Sequence, residues 1–221
     1  MDGNGRWAKK HNLPRAEGHR QGTRSARAVV EECRRLEIGY LTLYVFSLEN
    51  WARPREEIDF LFSLLGEFLQ GEMPNLMEQD IRLNVLGEVR DMPLATRKIL
   101  QTVCSRTRDN RSMHLNLALN YSGRQEIVRA CRNMLMEGLD PETVTQMQFS
   151  EYLYTAGQPD PDLIVRTSGE YRISNFLLYQ SAYSEFYFTE TLWPDFTPEE
   201  LQSALQSYSS RCRRFGRIEP L

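Results

Sequence analysis

Cysteine and histidine are scarce in this chain. Four cysteines (Cys33, Cys104, Cys131 and Cys212) are scattered through 221 residues with no C-x-x-C pair. That argues against a disulfide framework or a Cys-rich zinc site. Three of them fall on or near apolar helical faces, which suits buried free thiols in a reducing cytosol. The three histidines lie far apart, without zinc-like spacing. No apolar run approaches the ~18 residues of a membrane span. Residues 1–20 carry no apolar h-region, so no signal peptide is expected. Net charge is only −3, which excludes a global basic field for nucleic acid. Internal repeats, low-complexity segments, a G-x-S-x-G elbow, a P-loop and dense Asp/His clusters are missing too. A general phosphate-binding α/β hydrolase is disfavoured on those grounds.

What is present is the makeup of one well-cored domain, with no composition break to suggest a second. Residues 17–36 read as a helix, with Ala26, Val29, Val30 and Cys33 on one face and Gly39 after its end. Leu41–Phe46 reads as a strand buried on both faces, followed by the polar loop Ser47–Pro54. A helix over about 55–70 carries Ile58, Leu61, Phe62, Leu65, Phe68 and Leu69. Ile81–Leu86 is a strand, Asp91 and Pro93 open a helix to about 108, and His114–Asn120 is a strand with Leu115, Leu117 and Leu119 on one face. Gly123 precedes a helix with Ile127, Val128, Cys131, Met134 and Leu135, and Gly138 is its stop. Residues 138–160 form a connection with a short helix near 150–155. Asp162–Arg166 is a strand, Ser174–Tyr183 is helical or irregular, and Phe186–Phe188 is a last strand. Thr197-Pro-Glu-Glu200 is a capping box before a final helix with Leu201, Leu205 and Tyr208.

This alternation predicts an α/β fold of βαβ units, a mostly parallel central sheet covered by helices. Ligands of such sheets bind beyond the carboxyl ends of the strands. The polar clusters Ser47–Arg53 and Arg166–Ser174 fall there, and so are expected to form one site.

The most concentrated chemistry is at the start: Asp2, Gly3, Asn4, Gly5, Arg6 and Trp7. Glycines let the backbone approach an anion, and an arginine supplies bidentate donors. The carboxylate makes sense if a divalent metal sits between it and a phosphate. A disordered Gly-rich terminus is the plainer reading of these residues alone. Arg15 and His19 share a helical face and could meet an anion, or could be a solvated basic turn. Arg166, Ser168, Gly169, Arg172 and Ser174 suit a diphosphate, the alternative being a loop whose arginines pair with nearby acids. Glu185 is either an edge-strand charge or a metal partner of Asp2. The apolar helix and Leu115/Leu117/Leu119 are core by default, with an apolar tunnel as the sharper alternative. The cluster Arg211–Arg217 is helix-dipole compensation or a phosphate-binding arm.

In order along the chain come Asp-Gly-Asn-Gly-Arg-Trp (2–7), Arg-x-x-Gly-His (15–19), Ser-x-Glu-Asn-Trp-x-Arg-Pro (47–54), Asn-x-Ala-x-Asn-Tyr-x-Gly-Arg (116–124) and Arg-Thr-Ser-Gly-Glu-x-Arg-x-Ser-Asn-Phe-Leu-Leu (166–178). Ala-Tyr-x-Glu (182–185) and Trp-Pro-Asp-Phe (193–196) follow. Together these resemble the cis-isoprenyl diphosphate synthases of the undecaprenyl diphosphate synthase type, over almost the whole chain, residues 1–221. The resemblance implies a cytoplasmic, homodimeric, Mg2+-dependent prenyltransferase with at most peripheral membrane contact for product release. It would add isopentenyl diphosphate to an allylic diphosphate such as farnesyl diphosphate, making a long-chain carrier lipid for the cell wall.

By the same resemblance, Asp2 is the metal-linked catalytic carboxylate, and Glu185 shares the metal. Gly3, Asn4, Gly5, Arg6, Trp7, Arg15 and His19 take the allylic diphosphate. Asn50 acts near proton removal, with Ser47, Leu48, Glu49, Trp51 and Arg53 around it. Arg166, Arg172, Ile173 and Ser174 hold isopentenyl diphosphate. Arg214-Phe215-Gly216 matches a C-terminal motif thought to complete a site across a dimer. Tyr171 departs from the histidine common among relatives, which puts a proton relay there in doubt. The family also has an apolar strand before Asp2, where this sequence has only Met1. The expectation is therefore a truncated first strand, with Met1 an internal methionine of a longer chain. The alternatives are an N-terminally truncated inactive form or a non-catalytic partner subunit. The second would be expected to lose the Asp-Gly-Asn-Gly-Arg motif, which is intact here.

Overall fold

The computed structural model describes residues 1–211. Five parallel-paired strands carry the molecule: β1 (Tyr40–Ser47), β2 (Ile81–Leu86), β3 (Met113–Tyr121), β4 (Leu163–Arg166) and β5 (Glu185–Phe188). Among the described residues seven α-helices connect or flank them: α1 (Asn4–Lys10), α2 (Arg15–Arg35), α3 (Arg55–Glu78), α4 (Leu94–Thr107), α5 (Gly123–Met136), α6 (Gln146–Ser150) and α7 (Pro198–Ser209). The mostly parallel α/β architecture expected from the alternation is present. The strands form two sheets, ordered β1-β3-β2 and β4-β5. Edge residues Leu43–Val45 of β1 and Ile164–Val165 of β4 line one cleft, together with Met1 and Asp2. Among the described residues no strand precedes α1.

β3 is buried along its length because β1 and β2 pair on either side and α-helices cover it. Leu115, Leu117 and Leu119 pack with Leu43, Phe46, Phe62, Leu65 and Leu69 in the main core. Burying each such side chain contributes about 1.5–3 kcal/mol. A register shift between Tyr44 and Ser47 bends the end of β1 into a short 3-10 turn at Leu48–Ala52. There the Ser47 and Asn50 side chains cap each other's backbone.

Several local expectations are corrected. The plainer reading of the Gly-rich start, a disordered terminus, gives way to a helix start: Gly3, at φ 106°, caps α1. α3 runs on to Glu78, because Leu76 continues the buried stripe past Pro74. The short helix of the 138–160 connection lies earlier, at Gln146–Ser150. At α7 only half of the capping box forms, with Thr197 Oγ1 accepting the Glu200 N–H. Cys33 is buried, but Cys131 is exposed, since α5 turns Ala130 and Met134 inward instead. Among the described residues no helix is long and apolar enough to cross a membrane.

α1 rests on α2 through two glycines one turn apart. A Cβ on Gly18 would lie 2.0 Å from the Asn4 carbonyl oxygen, and one on Gly22 would lie 2.3 Å from Asn4 Oδ1. Backbone cannot yield as a flexible side-chain tip can. Gly18→Ala should therefore push α1 away and lower the melting temperature by several degrees, about 2–4 °C per kcal/mol in a chain of this size. Gly71→Ala, on the open side of α3, should leave it unchanged or raise it slightly. Thermal melts of the two variants test this.

Candidate active site

Within each sheet the strands run parallel, and residues of β1 and β4 and of the turns that follow them meet on one side. A cleft of about 1130 Å³ lies there. Its mouth is polar and cationic, with Arg6, Lys9, Arg15, Arg53, Arg166 and Arg172. Its inner wall is apolar: Leu61, Leu64, Leu65 and Phe68 of α3, Ala26 of α2, and Leu43 and Leu117 of the sheet. The stripe on α3 thus divides its labour. Ile58, Phe62 and Leu69 are core, while Leu61, Leu64 and Phe68 face the cleft and Leu65 does both.

Asp2 is fixed by its main chain and by its carboxylate. Its N–H donates to Thr167 Oγ1 at 3.0 Å. Its carbonyl accepts from Thr167 Oγ1 at 2.9 Å, Ser168 Oγ at 2.6 Å and the Trp193 N–H at 2.9 Å. Its Oδ2 accepts from Arg166 at 3.0 Å and its Oδ1 from the Gly3 N–H at 2.8 Å, with Arg6 at 3.5 Å. Burial pushes the Asp2 carboxyl up, but the Arg166 hydrogen bond and charge, the Gly3 N–H and Arg6 outweigh it. The group therefore stays below the ordinary carboxylate value and is ionised at neutral pH. Arg166 also donates to Ser174 Oγ at 2.6 Å and to the Arg172 carbonyl. Arg6 donates to the Ser168 carbonyl and pairs with Glu170, each at 3.0 Å. Glu170 in turn pairs with Arg172.

The second half of the mouth is organised by Glu57, which the sequence did not single out. Its Oε1 meets Arg53 Nη1 at 3.0 Å, Arg15 Nε at 3.1 Å and His19 Nε2 at 3.6 Å. The signal was weak: only the i, i+4 spacing from Arg53 is local. One carboxylate against two guanidiniums leaves the cluster net cationic and its donors pre-oriented for an anion.

Of the expected site residues, Asp2, Gly3, Asn4, Gly5, Arg6, Arg15, His19, Ser47, Glu49, Asn50 and Arg53 line the cleft, as do Arg166, Arg172, Ile173 and Ser174. Four do not. Trp7 turns outward, its Nε1–H donating to Asp195 at 2.7 Å. Trp51 packs on Phe46 and Phe62 and donates to Asn120 Oδ1 at 2.7 Å, which makes it a brace behind the loop. Leu48, the first residue of the 3-10 turn, is not on the cleft wall. Glu185 opens β5 opposite Leu163, whereas Asp2 bonds to Thr167 beyond the other end of β4. About 10 Å of strand lies between those ends. Within this chain Glu185 instead accepts from Arg211 at 2.7 Å. The Arg214–Gly216 motif lies outside the described residues.

No group of three or more His, Cys, Asp or Glu side chains gathers among the described residues. A partly exposed, ionised Asp2 beside guanidiniums that can hold an anion nevertheless fits a hard cation held by one carboxylate and the oxygens of an anionic ligand.

His19 is largely buried, and burial pushes it down to about 4 from 6.5, with Glu57 opposing and Arg53 and Arg15 assisting. It is neutral at physiological pH. Because the unfolded chain binds a proton at 6.5 and the folded chain only near 4, the stability tied to neutral His19 is full above 6.5 and falls as pH drops toward 4. Urea unfolding of wild type and His19→Gln should show the difference in stability between them shrinking by up to about 3 kcal/mol from about pH 7 to about pH 4.5. A constant difference would refute a neutral, buried His19.

Comparison with known proteins bears on this geometry. Residues 1–216 match the family model described as putative undecaprenyl diphosphate synthase. The isoprenyl transferase of Clostridium tetani is 48% identical across 99% of this chain and 87% of its own. That of Chlorobaculum tepidum is 50% identical across 98% and 83%. The lavandulyl diphosphate synthase of Lavandula x intermedia, solved in complex with dimethylallyl diphosphate, superposes with a TM-score of 0.95 at 34% identity, covering 98% of this chain and 95% of that one. A probable undecaprenyl diphosphate synthase from Campylobacter jejuni gives 0.80 at 32% identity, covering 89% and 92%. A cationic mouth on an apolar cleft at the strand ends, in a chain this similar to these relatives, is that of a prenyltransferase, and the protein belongs to the undecaprenyl diphosphate synthase family.

Proposed function

We propose that this prenyltransferase joins isopentenyl diphosphate to an allylic diphosphate of the farnesyl type, in repeated cis additions, to give a long-chain polyprenyl diphosphate used as a cell-wall lipid carrier. The observation that carries the reading is the single cleft with two chemistries: guanidiniums at the mouth for diphosphates, and the α3 leucines and Phe68 within for a growing hydrocarbon. Arg6, Arg15, Arg53 and His19 take the allylic diphosphate with Gly3, Asn4 and Gly5. Arg166, Arg172 and Ser174 take isopentenyl diphosphate, with Ile173 beside them.

In each addition the allylic C–O bond breaks and diphosphate leaves with the electron pair. The C4 carbon of isopentenyl diphosphate bonds to allylic C1, and a proton is lost from its C2. The cationic mouth stabilises the departing charge, and the apolar wall keeps water from the allylic cation. Asn50 has its amide oxygen engaged by the Ser47 N–H at 3.1 Å. It therefore meets substrate as an NH2 donor and not as the base. A magnesium ion, held by Asp2 with diphosphate oxygens, would add charge neutralisation. A homodimer belongs to the same reading, supported by Val128 and Leu135 standing solvent-exposed on α5.

Asp2→Ala should reduce incorporation of labelled isopentenyl diphosphate by at least about 10²-fold and keep a cooperative melt, since the main-chain bonds of Asp2 remain. Retained incorporation would refute the metal-linked role. Leu64→Trp should shift products to shorter chains, read by thin-layer analysis of products from farnesyl diphosphate. An unchanged product ladder would remove Leu64 from the tunnel.

A further inference from the structure

Asn175 joins the two halves of the site. Its Nδ2 donates to Glu49 Oε1 at 2.8 Å and to Ser122 Oγ at 2.7 Å. Its Oδ1 accepts the Arg124 N–H at 2.9 Å, and its main-chain oxygen accepts the Gly123 N–H at 2.8 Å. One side chain thus ties the turn after β1 and the cap of α5 to the segment that follows β4. The backbone around it is unusual. Ser174, Asn175 and Leu177 have φ of 47°, 63° and 43°. Left-handed residues other than glycine persist where surroundings hold them, and asparagine tolerates the conformation best.

The position has consequences on both sides. Ser174, the preceding residue, accepts from Arg166, which also bonds Asp2. Phe176, the next, stacks on Tyr44 at 4.7 Å between ring centres. Glu49 neighbours Asn50 in the 3-10 turn. If this tie were released, Ser174 and Arg172 would be free to shift relative to Asn50 while Arg15, His19 and Arg53, anchored on Glu57, would stay.

We propose that Asn175 is a positioning residue that fixes the Arg166–Ser174 loop against the Ser47–Arg53 loop, setting the bound isopentenyl diphosphate in register with the allylic carbon. This rests on the assignment of Arg172 and Ser174 to isopentenyl diphosphate.

Asn175→Gly keeps the left-handed backbone and removes the tie. Steady-state kinetics should show KM for isopentenyl diphosphate up roughly tenfold, KM for farnesyl diphosphate changed by less than about twofold, and melting temperature lowered by only a few degrees. Asn175→Asp, which sets a carboxylate against Glu49, should act in the same direction. Adding Glu49→Gln to Asn175→Asp exchanges donor and acceptor across the contact and should recover part of the lost KM, which a purely structural role would not do. Arg172→Ala separates the two claims. If it raises KM for isopentenyl diphosphate while Asn175→Gly does not, Asn175 has no positioning role and the substrate assignment stands. If Arg172→Ala has no effect, the assignment fails and the inference with it. Should the glycine variant not fold, an unchanged KM for isopentenyl diphosphate in Asn175→Asp overturns the proposal.

Discussion

The main chain of Asp2 is held by residues more than 160 positions away, and the site depends on that attachment. Thr167 Oγ1 accepts the Asp2 N–H and donates to the Asp2 carbonyl, and Ser168 and the Trp193 N–H complete the carbonyl's shell. Three donors on one carbonyl fix its plane. The carboxylate is then aimed by a backbone with little freedom left, and Arg166 meets it from the strand next to Thr167. Charge-assisted hydrogen bonds of this kind are shorter and about twice as strong as neutral ones. They also explain why a carboxylate can stay ionised where burial alone would neutralise it.

The attachment propagates through α1. Gly3 turns the chain with positive φ, and α1 then lies on the glycine strip of α2, close enough that a methyl group on Gly18 would collide with its backbone. Trp193, which holds the Asp2 carbonyl through its N–H, also donates its indole N–H to the Gly22 carbonyl at 2.8 Å. One residue thus sets both the height of Asp2 above the strand ends and the seat of α2 that carries Arg15 and His19. The two cationic halves of the mouth share a single mechanical reference.

Much of this was legible in the sequence, for identifiable reasons. β2 has the bounds read from its alternation, and the apolar runs gave β1 and β3 to within a residue or two. The rule that ligands sit beyond strand ends brought Ser47–Arg53 and Arg166–Ser174 into one cleft. What could not be read there depends on long-range geometry. Glu57 is not singled out by its place in the first turn of α3; its value comes from Arg15 and His19 on another helix. Glu185 and Asp2 seemed natural partners as carboxylates, yet strand register puts them at opposite ends of β4 and β5. Trp7 and Trp51 sit in motifs dense with site residues, but an indole N–H near the surface takes the best acceptor in reach, here Asp195 and Asn120. Motif membership reports proximity along the chain, whereas a place on the cleft wall is decided by which way the helix or turn rotates the side chain.

The same reasoning explains why the cleft combines charge and grease without conflict. A cation beside an apolar wall loses hydration, and an isolated one would be costly to bury. Here no guanidinium at the mouth faces the wall alone: Arg15 and Arg53 lean on Glu57, Arg166 on Asp2, and Arg6 and Arg172 on Glu170. Each pair satisfies some of the donors and leaves others to meet an anion. Counting Glu49, four carboxylates stand against these five guanidiniums and Lys9, which keeps the mouth positive. The acids are therefore as much part of the cationic mouth as the arginines, since without them the arginines would be driven toward solvent and away from the apolar wall.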